Sequence, residues 1–557
     1  MFVPALTLIL ALVSSAVIAL PTVNNVYKRS ADSLDPSSTE LPFYFPKSVY
    51  EDIPHSGDSP SPSSEEDGIK TATDFISTRL NLGENDFKVV NSYTDLFGIG
   101  HVYGTHMVNG ASVSNHQAAA HVNNGEVAFF SSSFGTEQHL AKRDLAVSEP
   151  KVTLSFGEVS STVSTKLGIP VYSEFETHFR AINFSNKASY KVVALPHRDP
   201  TDGFSGLTRH PMKKPTRKIW TNGKATEGNN VIALTPSNKT IRSAGNGVFY
   251  TKFNSKEDPG SAANIVAAAV NLFYITNMVH DISYQYGFTE SAGNFQKNNF
   301  GLGGEGNDAV IINVLNPSDT NNAEFFTFPD GQPGVMNMFR FTKTTPHRNP
   351  GLDNGVIIHE YTHGISNRLT GGPATASCLN TLEAAGLDEG WSDIIAMIFL
   401  AKSSDTATTE IPIGAYSENN PAGTRMYPYT TAMAVNPWTY GSIRRGGGVY
   451  AIGSVWASML WEVYWNLVTK HGFATNLYKA EQSEGNIVAM RIIIGAMMIQ
   501  QCNPTFLAAR DAILSADKLY YKSAHKCEIY KGFAKRGLGL GATNIRKNDL
   551  SVPPECQ

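Results

Sequence analysis

Two apolar segments with metal-ligand side chains at helical spacing constrain the fold of this chain most. The first, VIIHEYTHG at residues 356–364, places His359 and His363 four positions apart. Such residues lie one turn apart on the same face of a helix, so two imidazoles can reach one ion. The flanking Ile357 and Ile358 indicate a buried helix, in which uncharged histidines need a partner. The HExxH pattern therefore predicts an internal metal site rather than a surface helix with two solvated histidines.

The second segment, GLDEGWSDIIAMIFL at residues 386–400, adds carboxylates to a helix that is otherwise apolar. Burying carboxylates is costly unless a cation neutralises them. Glu389 would complete a set of two histidines and one glutamate, which leaves a fourth position of a zinc ion open, as catalytic zinc requires. Asp393, one turn further on, is a candidate acceptor for the second ring N–H of a ligand histidine. Glu360, beside the first histidine, is a candidate general base.

Composition excludes several other classes of protein. The chain has 557 residues, of which 41% are hydrophobic and 17% charged, and its formal net charge is −4. These values are typical of globular domains. Nucleic acid and anionic membranes are bound by clustered basic surfaces, so neither is indicated as a partner.

The N-terminal part is typical of an exported precursor. Its apolar start, MFVPALTLILALVSSAVIAL, predicts a signal peptide at residues 1–19, with a membrane anchor as the alternative. Residues 20–187 form the stretch between this segment and the part of the chain with longer periodic segments. Within it, residues 29–68 are rich in Ser, Pro, Asp and Glu and predict a linker. Residues 69–135, with alternating stretches and Asn-Gly turns, predict a small α+β unit.

The cysteines and two patterns for N-glycosylation are also typical of an exported chain. An even number of cysteines in an exported chain predicts two disulfides, and three pairings stay open. Asn183-Phe-Ser and Asn238-Lys-Thr are glycan acceptor patterns. The cysteines are Cys378, Cys502, Cys527 and Cys556.

Longer periodic segments begin at about residue 188. They predict a buried helix over Ala262–Gly287 and strands over 309–315 and 335–341. Further helices are predicted near 354–369, 386–402 and 450–471.

Several motifs in fixed order resemble one family. HEYTHG, NRLTGGPA, EGWSD, NNAEF, PDGQPG, GFTESAGNF, QCNP and FAKRGLG resemble the fungalysins, secreted fungal zinc metallopeptidases of the thermolysin-like gluzincins. The resemblance covers residues 188–556. It implies a two-lobed, thermolysin-like zincin domain of α+β class at 188–557, preceded by an inhibitory α+β propeptide at 20–187. It also implies that His359, His363 and Glu389 are zinc ligands and that Glu360 is the catalytic glutamate.

The resemblance further implies an edge strand through Asn321, Asn322 and Ala323 that pairs with the backbone of a peptide substrate. The alternative for the asparagine pair is a turn. One position departs from the family pattern, because Tyr450 stands where fungalysins have the histidine of a V-H-A-I-G segment. Tyr450 is either a neutral oxyanion donor or a residue that simply packs at a helix start.

These features predict a secreted zinc endopeptidase that cleaves internal bonds of extracellular proteins, with one catalytic zinc ion. The expected partners are protein or peptide substrates and the propeptide. The chain is expected to be a monomer and not to bind a membrane. Whether calcium binds stays open. One alternative is a zinc-binding pseudoprotease of altered or lost activity, because of Tyr450. The other is a secreted structural protein with an accidental HExxH pattern.

Overall fold

The structure is a computed structural model that describes residues 48–54, 65–134, 188–202, 207–209 and 220–557, apart from single positions at 109, 222, 246 and 446. The predicted signal peptide, most of the predicted linker and the glycan pattern at Asn183 lie outside the described residues. The described residues form both helices and strands, in separate parts of the chain as well as together, which confirms the predicted α+β class.

The N-terminal unit combines one helix with an antiparallel sheet of five strands. Its elements are β1 (Val49–Asp52), α1 (Glu65–Leu80), β2 (Phe87–Thr94), β3 (Gly100–Val108), β4 (Ala111–Asn123) and β5 (Glu126–Ser132). The strand order is β1-β5-β4-β3-β2, and all neighbours run antiparallel. The sheet is therefore built mainly from consecutive hairpins.

Both faces of this sheet are buried, and each packs against a different partner. Side chains alternate across a strand, so Val102 and Ala120 face α1 and cluster with Ile76. Tyr103 and Ala119 point the other way and belong to the large core of the C-terminal part of the chain. The face opposite α1 thus joins the N-terminal unit to the rest of the protein.

A β-containing lobe begins at residue 189. Its elements are β6 (Ser189–Lys191), β7 (Leu207–Arg209), β8 (Val231–Leu234), β9 (Val248–Phe249), α2 (Ala262–Gln285), β10 (Val310–Asn313), β11 (Ala323–Phe326) and β12 (Val335–Met338). One sheet has the order β11-β12-β10-β8, with β11 antiparallel at the edge. The strand predicted at 309–315 is shorter than expected, since Leu315 has a φ of 48°, outside the extended region.

The helix α2 forms the core of this lobe. Within the described chain it is the one helix long and apolar enough to cross a bilayer, but 78% of its apolar window is buried inside the protein. It ends at Gln285, slightly before the predicted end, because the chain turns at Gly287 with a φ of 112°.

The C-terminal lobe is mostly helical. Its helices are α3 (Asn354–Leu369), α4 (Leu382–Leu400), α5 (Ala415–Glu418), α6 (Val449–His471), α7 (Gly485–Ile499), α8 (Phe506–Tyr521) and α9 (Lys526–Lys535). The helix predicted at 386–402 starts earlier, at Leu382, because the Thr381 hydroxyl caps it by accepting a hydrogen bond from the Ala384 N–H.

Glycines allow α4 and α6 to approach closely. A Cβ added at Gly453 would lie 2.5 Å from the Cβ of Glu389 and 2.9 Å from the backbone nitrogen of Gly390. A Cβ at Gly386 would lie 2.3 Å from Cγ2 of Ile452. The backbone of α6 therefore supports α4 directly at Glu389.

Two disulfides are present, as predicted, and the structure selects one of the three pairings. Cys378 pairs with Cys502 and links the loop after α3 to the segment after α7. Cys527 pairs with Cys556 and fixes the C-terminus to α9.

Candidate metal centre

Two neighbouring helices bring three metal-ligand side chains to one point. His359 and His363 lie on α3, and Glu389 lies on α4. The two Nε2 atoms are 3.1 Å apart, and the carboxylate oxygens of Glu389 lie 3.4 Å from Nε2 of His359 and 3.9 Å from Nε2 of His363. Donors that share a tetrahedral zinc ion at about 2.1 Å lie about 3.4 Å from one another. The three side chains therefore fit zinc.

Carboxylates hold the outer nitrogens of both imidazoles. Nδ1 of His359 lies 2.7 Å from Oδ1 of Asp393, and Nδ1 of His363 lies 2.8 Å from Oδ2 of Asp388. Since an ionised carboxylate only accepts, each Nδ1 carries the proton and donates it. In neutral rings the Nε2 lone pairs then face each other at 3.1 Å. A positive charge between them, either a proton or a metal ion, relieves the repulsion of these lone pairs.

Asp388 was not among the sequence-predicted site residues. Besides His363, it accepts hydrogen bonds from the Ser366 hydroxyl and from the Asn367 amide, the latter at 3.0 Å. The one available signal was its position next to Glu389 on an apolar helix. Which histidine it supports depends on how α3 packs against α4, which sequence spacing does not reveal.

Arg425 was missed as well. Its Nη2 lies 3.0 Å from Oε2 of Glu389, and its Nε lies 2.7 Å from Oδ2 of Asp393. The Tyr429 hydroxyl also donates to Asp393. Arg425 comes from the loop between α5 and α6, where no periodicity marks it. Its guanidinium offsets part of the negative charge of the ligand Glu389 and of Asp393 behind it.

The electrostatics of the site favour positive charge at the imidazoles. Burial alone lowers the pKa of His359, but Asp393 and Glu389 outweigh this effect and raise the pKa to about 10. Burial raises the pKa of Glu389, but the hydrogen bond with His359 and the charge of Arg425 lower it to about 2. A metal cation at the Nε2 atoms benefits from the same carboxylates as these protons do.

Glu360 follows the first histidine and lines the same cleft. Its exposed fraction is 5%, and burial raises the pKa of its carboxyl above the ordinary value. A carboxylate whose pKa moves toward neutrality is a better general base at neutral pH.

The metal-ligand group opens onto a cleft of about 440 Å³ between the two lobes. Tyr450 lines this cleft at the start of α6 and is 55% exposed, with the Arg425 guanidinium 5.2 Å from its ring centre. The charge of Glu389, together with burial, raises the pKa of Tyr450 to about 12. Its hydroxyl is therefore a neutral donor at physiological pH.

The predicted substrate strand lies along the cleft. Ala323 begins β11 at the edge of its sheet, and Asn321 and Asn322 precede it, also lining the cleft. Asn321 has a φ of 55°, so it adopts the turn conformation that was the alternative for this pair. Elsewhere, Asn238 lies in an exposed turn with a φ of 57°, a position that a glycan can reach.

A helix with two histidines one turn apart, a second helix with the third ligand and an open cleft between two lobes define a zincin-type metal centre. The profile of the family Fungalysin metallopeptidase matches residues 189–542, and that of the Fungalysin/Thermolysin Propeptide Motif matches residues 85–134. The chain belongs to the fungalysin metallopeptidase family. Membership confirms the predicted family and, with the His359, His363 and Glu389 group, zinc as the cofactor.

Similar proteins carry consistent names. The chain is 44% identical over 402 residues to Extracellular metalloproteinase 1 of Arthroderma otae, which covers 68% of this chain and 62% of that protein. It is 35% identical over 575 residues to Extracellular metalloproteinase 5 of Arthroderma otae (strain ATCC MYA-4605 / CBS 113480), which covers 88% of this chain and 90% of that protein. Extracellular metalloproteinase 1 of Trichophyton tonsurans is 44% identical over 402 residues.

Proposed function

We propose that this chain is the precursor of a secreted zinc endopeptidase that hydrolyses internal bonds of extracellular proteins. The observation that carries the proposal is the pair of histidine Nε2 atoms, 3.1 Å apart, with Glu389 beside them at the floor of a cleft. The names of the relatives, which are extracellular metalloproteinases, support an extracellular location.

In this proposal His359, His363 and Glu389 hold zinc, while Asp388 and Asp393 fix the imidazoles. Zinc supplies Lewis acidity, which polarises a carbonyl and makes water acidic. Glu360 accepts a proton from water and passes it to the leaving amine, a role suited to its burial and raised pKa.

Substrate binding is assigned to the edge of β11. A peptide that pairs with this edge would hydrogen-bond mainly through its backbone, so its sequence would be read loosely. Tyr450 is assigned the donor to the developing oxyanion, because it lines the cleft and keeps its proton at neutral pH.

We assign the signal peptide to residues 1–19, the propeptide to 20–187 and the mature peptidase to 188–557. The propeptide is proposed to inhibit the enzyme until it is removed, and the mature chain to act as a monomer. The matches at residues 85–134 and 189–542 support two units with a boundary between them.

A casein-cleavage assay with purified mature protein tests the proposal. We expect cleavage that a zinc chelator abolishes and added zinc restores. Glu360→Gln should lower kcat at least about 10²-fold while zinc content stays at one ion per chain, because the ligands are unchanged. Zinc-loaded protein without chelator-sensitive cleavage would establish the pseudoprotease instead, which the tyrosine at position 450 favours. Absence of zinc would reject both.

A further inference from the structure

The edge strand of the cleft carries a carboxylate that the metal centre does not use. Glu324 lies on β11, lines the cleft and is close enough to Glu360 and Tyr450 to contribute to the raised pKa of both. Within the described chain it accepts a hydrogen bond from the amide of Asn337 at 3.0 Å. The nearby cation Arg425 is already engaged with Glu389 and the aspartate behind it.

A network of asparagines holds this carboxylate in place. Nδ2 of Asn313 and Nδ2 of Asn316 lie 2.8 Å and 2.9 Å from Oδ1 of Asn337. Because these two donors occupy the oxygen of Asn337, its NH₂ group must point at Glu324, which can only accept. One oxygen of Glu324 is thereby fixed, and the other is left for a donor outside the network. Such a preorganised acceptor is suited to a cationic partner.

We propose that Glu324 makes the enzyme prefer substrates with a lysine or arginine within two residues of the scissile bond. The inference rests on the proposed peptidase function. A peptide that pairs with β11 presents alternate side chains to the sheet face that bears Glu324. A basic side chain there gains an ion pair that is partly shielded from water, whereas a neutral side chain of similar length does not.

Quenched fluorescent peptides provide the test. One series carries lysine, and a matched series carries norleucine, at each of the two positions on either side of the scissile bond. At one position we expect kcat/KM for lysine over norleucine to be about fivefold, the size of one partly exposed ion pair. Glu324→Gln, which can still accept from Asn337, should remove this ratio. Salt should reduce the ratio in the unmodified enzyme.

Glu418→Gln is the matched control, because this carboxylate also lines the cleft but has Lys343 3.9 Å away. It should leave the lysine ratio unchanged. Equal ratios in the unmodified enzyme and in Glu324→Gln would overturn the inference. The norleucine peptides test the proposed function separately: if they are cleaved with chelator sensitivity and no lysine preference appears, the peptidase stands and only the role of Glu324 falls.

A different observation concerns the interface between the N-terminal sheet and the helical lobe. His101 on β3 is opposite His121 on β4, on the sheet face that also bears Tyr103, whose hydroxyl donates to the carbonyl of Met498 on α7. Both histidines are 0% exposed, and their Nδ1 atoms are 2.9 Å apart. Two nitrogens at this distance share one proton comfortably but not two, so at least one ring must stay neutral.

Few groups around His101 and His121 could neutralise a second positive charge. Nε2 of His101 lies 3.4 Å from Asp95, which also accepts a hydrogen bond from the Tyr520 hydroxyl of α8 at 3.0 Å. Nε2 of His121 makes no hydrogen bond of good geometry within the described chain and lies against the backbone of Ile499. The other titratable groups in this interface include Tyr50, Tyr93, Tyr103, Arg491, Asp511 and the pair of Asp52 and Lys518.

We infer that this interface is a latch that holds at neutral pH and opens in mild acid when His121 gains a proton. Burial and the neighbouring His101 lower the pKa of His121 well below its ordinary value. After undocking, the ring would face water with a pKa of about 6.5. Docking therefore keeps its full strength above about pH 6.5 and weakens by up to about tenfold per pH unit below that value.

Gel filtration of the processed precursor tests the latch. The full chain with Glu360→Gln and a thrombin site inserted between residues 135 and 187 is cut and run at about pH 7.5 and about pH 5. We expect the two pieces to elute together at the higher pH and apart at the lower one. His121→Gln keeps a neutral acceptor for His101 and should hold the pieces together at both values.

His116→Gln is the matched control, since this buried histidine lies in the same sheet and stacks on Phe134 of its own unit. The two pieces of this variant should separate in acid as the unmodified pieces do. The dissociation constant of the two unmodified pieces, measured between about pH 7.5 and 5, tests the latch without any variant. A constant that does not change with pH, or acid separation of His121→Gln equal to that of the unmodified pair, would overturn the latch.

Discussion

The imidazoles of the metal centre depend on the carboxylates behind them. Asp388 and Asp393 each fix one ring and make its inner nitrogen more basic. We expect Asp388→Asn to weaken zinc binding by about 10–100-fold, because an amide is a poorer acceptor for the His363 N–H. Competition with a chromogenic zinc chelator measures the affinity. Glu383→Gln, on the same helix but bonded to Arg546, is the control and should bind zinc normally. Equal affinity in both variants would contradict the role of Asp388.

Tyr450 is a second residue whose contribution can be measured. If its hydroxyl stabilises the oxyanion, Tyr450→Phe should lower kcat by about 10²-fold, with little change in KM or zinc content, since only the transition state loses a hydrogen bond. An unchanged kcat would leave Tyr450 with packing alone. Tyr427→Phe, which alters a tyrosine that packs edge-to-face against Trp438, provides the control.

The spacing of residues in the sequence predicts the metal-ligand side chains of this centre but not all of the residues that surround them. His359, His363 and Glu389 could be named because helical periodicity brings residues four apart to one face, and two such helices need a common cation. Arg425 could not be named, because it reaches the site from an irregular loop and its contacts arise only from tertiary packing.

At the scale of helices, the close approach of α4 and α6 sets the position of Glu389. We expect Gly453→Ala to destabilise the fold by about 1–3 kcal/mol and to weaken zinc binding, because the new methyl group would push on the Cβ of Glu389. Denaturant unfolding and zinc titration report the two effects. Gly448→Ala adds a methyl group at a site with nothing within 4 Å and should change neither. Normal zinc affinity in Gly453→Ala would mean that α4 adjusts freely.

Helices were predicted better than strands for a physical reason. Long apolar periodicity over Ala262–Gln285 or Asn354–Leu369 has many repeats, whereas the strands of the β-containing lobe have two to four residues. Strands this short show almost no alternation of polar and apolar residues. Their pairing depends on strands that are far apart in the sequence, such as β8 and β10.

At the scale of the whole molecule, zinc joins two helices of the core and should raise global stability. We expect removal of the metal to lower the free energy of unfolding by about 4 kcal/mol when free zinc had been present at about a thousand times its dissociation constant. Calorimetry with and without chelator measures the loss. Glu360→Gln keeps all three ligands and should lose the same amount. An unchanged melting temperature would mean that the fold does not depend on the ion.

The five-stranded sheet has one further consequence for the proposed maturation. Among the described residues, its face with Tyr103, Ala119 and Phe129 packs against the helical lobe and not against α1. Once cut loose, the released fragment would expose this aromatic patch to water, where it invites self-association and cleavage by the very peptidase it has left. Separation of the two pieces would then be irreversible, because the released fragment would be degraded before it could bind again.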